Sequence, residues 1–412
     1  MAAVNFPDPL VQNPATGEPY ANGWYNDPAT GGNGVTYVYT NGVWRAATSP
    51  SDALDDRYVE VAGDTMTGAL SINDEIILNT DGSAEFAGDV QMASQNSGPL
   101  AGFRNVLING SMDVYQRGID NGAQTSAGYF SADRWLQNNN STSLIFNDAS
   151  LLEAGFSKAL RINRSSGSPW IAQGVELPQL TNGSYRAPGP FVEGSVWTLS
   201  WWTKQDPAAP SVNFNDGVAT TANNVVNTVE QPVLVESVGA WNRYSSKVTM
   251  VADTSSSTTR CLRVIINTAV GANADFEVTG IQLEPGPVAT PFEHRPIGTE
   301  LALCQRYYQN HKAESDYALF AVGYASNSTN IRVHHPLKVS MRAVPTFASS
   351  GASDFVVGNS TNIDITSLQA THSTKEGVQI GATVTSGITL GESYGLRANA
   401  TSNAMLKFDA EL

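Results

Sequence analysis

The chain has 412 residues, enough for two or three domains, and carries a net charge of −15 with only 15% charged residues. That balance excludes a phosphate-tracking nucleic-acid surface, which needs clustered Lys and Arg. Abundant Gly, Asn, Ser and Thr indicate a turn-rich, all-β composition. Cys261 and Cys304 are too few for a disulfide framework and read as buried thiols. The first ten residues lack the basic start and apolar core of an export signal, and no run approaches the roughly twenty apolar residues of a membrane helix. Synthesis in a cytoplasm, with no membrane insertion, is expected.

Residues 1–47 hold a near-repeat. Asn13-Pro14-Ala15-Thr16-Gly17 recurs as Asp27-Pro28-Ala29-Thr30-Gly31, and Tyr20-Ala21-Asn22-Gly23-Trp24 recurs, one residue longer, at Tyr39–Trp44. Asx-Pro opens turns and Asn-Gly favours tight hairpins, so this is a small module of β-hairpins. It resembles N-terminal modules of cyanophage structural proteins. The resemblance implies a virion-docking module, with Phe6, Trp24 and Trp44 as candidate contacts. The plainer alternative is that these aromatics fill the module's own small core.

Residues 48–62 read as a linker. Through the next segment, 63–102, apolar residues recur two apart: Leu70/Ile72, Ile76/Leu78, Ala84/Phe86 and Val90/Met92. Each pair is one face of a very short strand, and short isolated strands are marginal in water. Three chains wound about an axis would bury Leu70, Ile72, Ile76, Leu78, Phe86, Val90 and Met92 and cover one another's edges. The pattern predicts a trimeric β shaft; the alternative is a glycine-rich linker.

Residues 103–297 offer seven or more short strands separated by polar loops, a β-sandwich signature most consistent with a jelly roll. VWTLSWWTK at Val196–Lys204 is apolar on both faces and so marks a central strand. In CLRVIIN, Leu262, Val264 and Ile266 face one way. Near 275–283 the alternation of Phe276 and Val278 changes parity to Ile281 and Leu283, which places a bulge at Thr279-Gly280. Dense prolines then end the strand. A short helix follows, with Thr299 as its cap and Glu300 in its first turn. Residues 298–412 read as a second sandwich, a receptor-binding tip with long Ser/Thr/Asn loops.

No phosphate-cradling loop, nucleophile elbow, His-Glu-x-x-His or Cys-x-x-Cys occurs, and no cofactor or metal is expected. His334 and His335 are adjacent and so point to opposite faces of a strand. Flat aromatic faces stack on sugars, but Trp197 and Trp201 belong in a core. Trp170, after Ser166-Gly167-Ser168-Pro169, is the ligand candidate of this domain. Tyr324, His372 and Tyr394 lie in or beside polar loops of the tip and are the receptor candidates there.

Three stretches carry a family resemblance. RNVLINGSMDVYQRG at Arg104–Gly118 and IQLEPGPVATPFEHRPIGTELALCQRYYQ at Ile281–Gln309 resemble the opening, and the closing strand with linker, of a module in bacteriophage tail-fibre and receptor-binding proteins. GDTMTGAL at Gly63–Leu70 resembles a fibre-shaft repeat, and MRAVPTF at Met341–Phe347 a fibre-tip motif. The resemblance implies a homotrimeric virion tail fibre. Its N-terminus would meet tail adaptor, nozzle or baseplate proteins, and its C-terminal region a host-surface glycan. A capsid-attached fibre or decoration protein, or a fibre that cleaves polysaccharide, are the alternatives. The shaft pattern predicts a mass by light scattering of three times 43.8 kDa. A clean monomer would return 63–95 to a linker.

Overall fold

The structure is a computed structural model. It describes residues 103–177, 191–253, 255, 260–271, 273–400 and 403–412, with the backbone of six short strands nearer the N-terminus. The chain divides into two units, Met1–Gln91 and Met92–Leu412.

In the first unit Tyr37–Thr40 pairs with Trp24–Tyr25 and with Val43–Ala46. Thr40 stands opposite Val43 on either side of Asn41-Gly42, and Trp44 stands opposite Tyr39. Leu70–Ile72, Ile76–Leu78 and Ala84–Phe86 form a second antiparallel sheet. Leu70 pairs with Leu78 and Leu78 with Ala84; Ile72 pairs with Ile76 and Ile76 with Phe86. Three of the apolar pairs read from the sequence are therefore in register with one another inside a single chain. Phe6, Val90 and Met92 lie outside the described residues.

The second unit opens with a β-sandwich of two antiparallel sheets. One sheet runs Thr228–Val229, Trp241–Thr249, Val196–Thr203, Asp275–Pro285, Lys158–Arg164, Ser141–Asn147, Asp120–Gln124, and Val233–Val238 joins Trp241–Thr249 as its eighth strand. The other runs Val225–Val226, Ser211–Asn215, Cys261–Asn267, Trp170–Glu176, Leu136–Gln137, Gly128–Tyr129. Leu160, Ile162, Trp197, Leu199 and Trp201 from the first sheet meet Val212, Phe214, Leu262, Val264 and Ile266 from the second. Each such side chain contributes about 1.5–3 kcal/mol by leaving water. Val196–Thr203 is central, as its two apolar faces require: Trp202 points the other way, into a smaller core with Leu151, Phe156, Ala159 and Trp241.

The bulge falls where the parity changes. Ser200 pairs with Gln282 but Trp202 with Thr279, and Gly280 takes φ +60°. A side chain there would also strike Phe156 and Trp202, each 2.6 Å from an added Cβ. The bulge returns Ile281 and Leu283 to the same core as Phe276 and Val278.

The two motif stretches are knitted together along this strand. Val106 N–H donates to Leu283 O and Ile281 N–H to Gly110 O, both at 3.0 Å. Asn105 donates to Ile281 O and accepts from Leu283 N–H. A Cβ on Gly110 would lie 2.1 Å from Ile281 O, so only glycine permits this approach. Asn109, at φ 58°, donates to the carbonyls of Val114 and Asp133, and its own carbonyl accepts from the Trp135 indole. Val106–Ile108 has the apolar look of a short strand but is an irregular segment, because side chains of its own motif share in satisfying the backbone.

The helix is Ile297–Gln305, and its N-cap is Pro296, without a side-chain cap bond. Thr299 does not cap it; the fixed φ of proline starts the helix instead. Glu300 turns inward, where it accepts from Asn109 N–H and Arg295.

Beyond the helix the strands Leu319–Ala325, Asn330–Pro336, Gly377–Val384, Asn362–Ser373, Phe355–Gly358 and Ser393–Ala398 close on themselves. The tip is a barrel rather than the expected sandwich, and closure removes the free edges that two small sheets would expose. A three-stranded sheet of Tyr308–Lys312, Met405–Asp409 and Thr346–Ser349 adjoins it and feeds Leu406 and Phe408 into the barrel core.

Sandwich and tip meet across a charged, aromatic seam. Arg134, fully buried, pairs with Glu411 and donates to Gly174 O at 2.6 Å. Its guanidinium lies 3.4 Å from the Tyr307 ring centre, and Arg117 lies 3.5 Å from that of Tyr308. Arg342 donates to Ala410 O and Glu411 O. Burial opposes the charge on Arg134, yet Glu411, Tyr307 and Tyr129 together hold its pKa above the usual arginine value. Both thiols are buried, and burial pushes Cys261 up to about 11.

Glu411→Ala would strand the buried Arg134 charge. Denaturant unfolding should show a loss of about 3–5 kcal/mol, and a change under about 0.5 kcal/mol would mean the seam is not held by this pair. Asp148 offers a second test. Hydrogen bonds from Lys204 first, then Ser150, hold its carboxyl well below the usual carboxylate range. A depressed acid stabilises the fold above its unfolded pKa and loses that contribution as pH falls. The melting temperature of Asp148→Asn should therefore fall below wild type at pH 7, and the gap should begin to narrow below about pH 4, where the unfolded carboxylate protonates, yet persist in part at about pH 3, where the folded carboxyl is still ionised.

Candidate functional site

The outer face of the barrel gathers outward side chains from five strands. Asn330–Pro336 sets its frame by alternation: Ile331, Val333 and His335 are buried, while Arg332 and His334 are exposed. Antiparallel partners point to the same side of a sheet. Tyr324 is opposite Arg332 on one side and Ser393 on the other. His334 is opposite Gln379, and Gln379 is opposite His372. The result is a row Ser393, Tyr324, Arg332, with His334, Gln379 and His372 beside it.

Tyr324 is 49% exposed and Val322, two residues earlier, 57%. His372 Nδ1 lies 3.1 Å from Gln379 Oε1, which also accepts from Thr371 Oγ1 at 2.9 Å. Arg332 has no ion-pair partner among the described residues. An exposed phenol beside an open guanidinium suits a ligand with an apolar face and an anionic group.

The other receptor candidates lie elsewhere. Tyr394 is 2% exposed; its hydroxyl accepts from Thr389 N–H and donates to Glu392. It is a core residue of the barrel, placed inward by strand parity. Trp170 is not in a loop. It opens the strand Trp170–Glu176 and packs, half-buried, against the cluster of Leu136, Ala172, Val218 and Cys261. Trp197 and Trp201 are core, at 2% and 0% exposure. The side chains of Trp24 and Trp44, like Phe6, are outside the described residues. Arg332, Val322 and Gln379 were not singled out from the sequence. The alternation of NIRVHHP marks Arg332 as outward, but only strand pairing sets it beside Tyr324.

A cleft of about 350 Å³ opens at the motif junction, lined by residues including Ser111, Asp113, Lys158, Phe292, Glu293 and His294. Its acidic side chains already hold structural partners. Asp113 accepts from Ser111 and pairs with Lys158, Glu293 accepts from Asn105 N–H, and Glu300 holds Asn109 and Arg295. Phe292 and His294 meet edge-on at its wall, and Phe156 packs edge-on against Phe292 and tilted against His294 behind them.

No family model matches the chain, and no curated protein matches it. Among solved structures, a Bacteroides thetaiotaomicron protein proposed to bind sugar aligns at 11% identity and a TM-score of 0.26, over 44% of this chain and 99% of that one. The tandem CBM22 domains of Paenibacillus barcinonensis Xyn10C align at 11% identity and a TM-score of 0.24, over 71% and 98%. Likeness at that level assigns neither ligand nor function.

Proposed function

We propose that this chain is a homotrimeric bacteriophage tail fibre that holds the virion to its host without covalent chemistry. The N-terminal hairpins dock on the tail, the 63–102 segment trimerises, and the barrel meets an acidic surface polysaccharide. The observation that carries the last step is the Tyr324–Arg332 pair on the open face of the barrel. The phenol stacks on a sugar ring, and the guanidinium takes a carboxylate or phosphate in two parallel hydrogen bonds. Such contacts are weak singly. Three on one fibre, multiplied over several fibres, hold a particle by effective concentration.

A binding role is favoured over a polysaccharide-cleaving one by the large cleft, where each acidic side chain is engaged by a structural partner. A glycosidase needs two carboxyls at a set separation across the scissile bond. A capsid-attached fibre would use the same architecture and differs only in where the N-terminal module docks.

The test is binding of the full chain to purified host envelope polysaccharide. Tyr324→Ala and Arg332→Ala should each weaken binding about tenfold, or about 1.4 kcal/mol, and added salt should weaken the wild type more than Arg332→Ala. Undiminished binding by the double variant would move the receptor contact off this face, and release of reducing ends from the polysaccharide would make the fibre an enzyme.

A further inference from the structure

A second cleft, of about 340 Å³, lies beside the barrel and is lined by residues including His311, Glu314, Ser315, Phe320, His335 and Lys338. At its floor Nδ1 of His311 meets Nε2 of His335. The outer nitrogens of both rings are already committed. His311 Nε2 lies 3.2 Å from Gln309 Oε1, and His335 Nδ1 lies 3.1 Å from Phe320 O.

The Gln309 amide cannot be turned to change this. Its Nε2 donates to Gln305 O and Val339 O, and its Oε1 accepts from Lys338 N–H. Both outer contacts thus present acceptors, and each ring must spend its proton on one of them. Three contacts need three protons, and two neutral imidazoles carry two. The inner nitrogens therefore face each other with bare lone pairs.

We propose that His311 and His335 form a site for one divalent transition-metal ion of the imidazole-preferring class that includes zinc, nickel and copper, bound between Nδ1 of His311 and Nε2 of His335. Ligating histidines characteristically donate their other N–H to a carbonyl, and both rings here do so. Their planes are fixed by Phe408, which stacks on His335 at 12° and meets His311 edge-on at 65°. Metal–nitrogen bonds of about 2.0–2.1 Å require the rings to slide apart within those planes, toward the cleft that both of them line. Among the described residues no cluster of three or more His, Cys, Asp or Glu side chains is suited to a metal. Two ligands thus come from the rings and the rest from water, with Glu314 in the same cleft to offset Lys312 and Lys338. The ion would tie the Tyr308–Lys312 strand to the barrel strand Asn330–Pro336.

The test is calorimetric titration of the chelator-stripped full chain with zinc chloride. One ion per chain is expected, with affinity falling at least tenfold in His311→Ala and in His335→Ala and unchanged in the exposed-face variant His334→Ala. Because His335→Ala opens a buried site, ¹⁵N ring spectra of the wild type give a reading free of any variant. Zinc should shift His311 Nδ1 and His335 Nε2 and leave His294, His334 and His372 in place. Zinc uptake no greater than that of the His311→Ala/His335→Ala double variant, or ring spectra showing one shared proton and no response to zinc, would overturn the site.

Discussion

The unit from Met92 to Leu412 depends on a charge that has no water. Arg134 is fully buried, and its compensation is assembled from three directions: the Glu411 carboxylate, the Gly174 carbonyl and the face of Tyr307. A buried guanidinium without such partners costs several kcal/mol. Sandwich and barrel are therefore not free to choose their relative placement. The arginine comes from one, the carboxylate from the other, and the tyrosine from the connection between them. Arg117 on Tyr308 and Arg342 beside the Glu176 carboxylate repeat the same logic at the seam's margins.

This changes the meaning of the motif stretches. Arg104–Gly118 and Ile281–Gln309 are rich in the polar and aromatic residues that a ligand site also uses. Their side chains instead satisfy backbone and one another: Asn105 against Ile281 and Leu283, Asn109 against Val114 and Asp133, Gln116 against Tyr308 O. An irregular segment packed against a strand needs such side chains in place of a ladder. The chemistry that suits a ligand lies elsewhere, on barrel strands whose outward residues owe nothing to packing.

The legible parts of the fold were those with strong local pattern. VWTLSWWTK declared a central strand because both faces must be buried, and the parity change at Gly280 declared its bulge. Asn362–Ser373, the longest barrel strand, carries no apolar stripe, since Ile365 is its one deeply buried apolar side chain; its pairing is set by its neighbours. The tip read as a second sandwich because alternation reports which residues face inward, not whether the first and last strands meet. Tyr324 was readable as exposed, whereas Tyr394 was not readable as buried, since one residue of register decides it. Arg332 could be placed outward but not beside Tyr324, because partnership across strands leaves no mark in a single sequence.

Arg134 and Glu411 are 277 residues apart. At translation speeds of about 5–20 residues per second, the arginine waits many seconds for its counter-ion. The last sandwich strand ends at Pro285, so through the latter part of that interval every sandwich strand has been made while the carboxylate has not, and burying Arg134 then costs more than in the finished chain. The order of synthesis thus becomes a built-in delay. The nascent sandwich presents an unfinished face to its surroundings until the barrel has been made, and chaperones have that window in which to act.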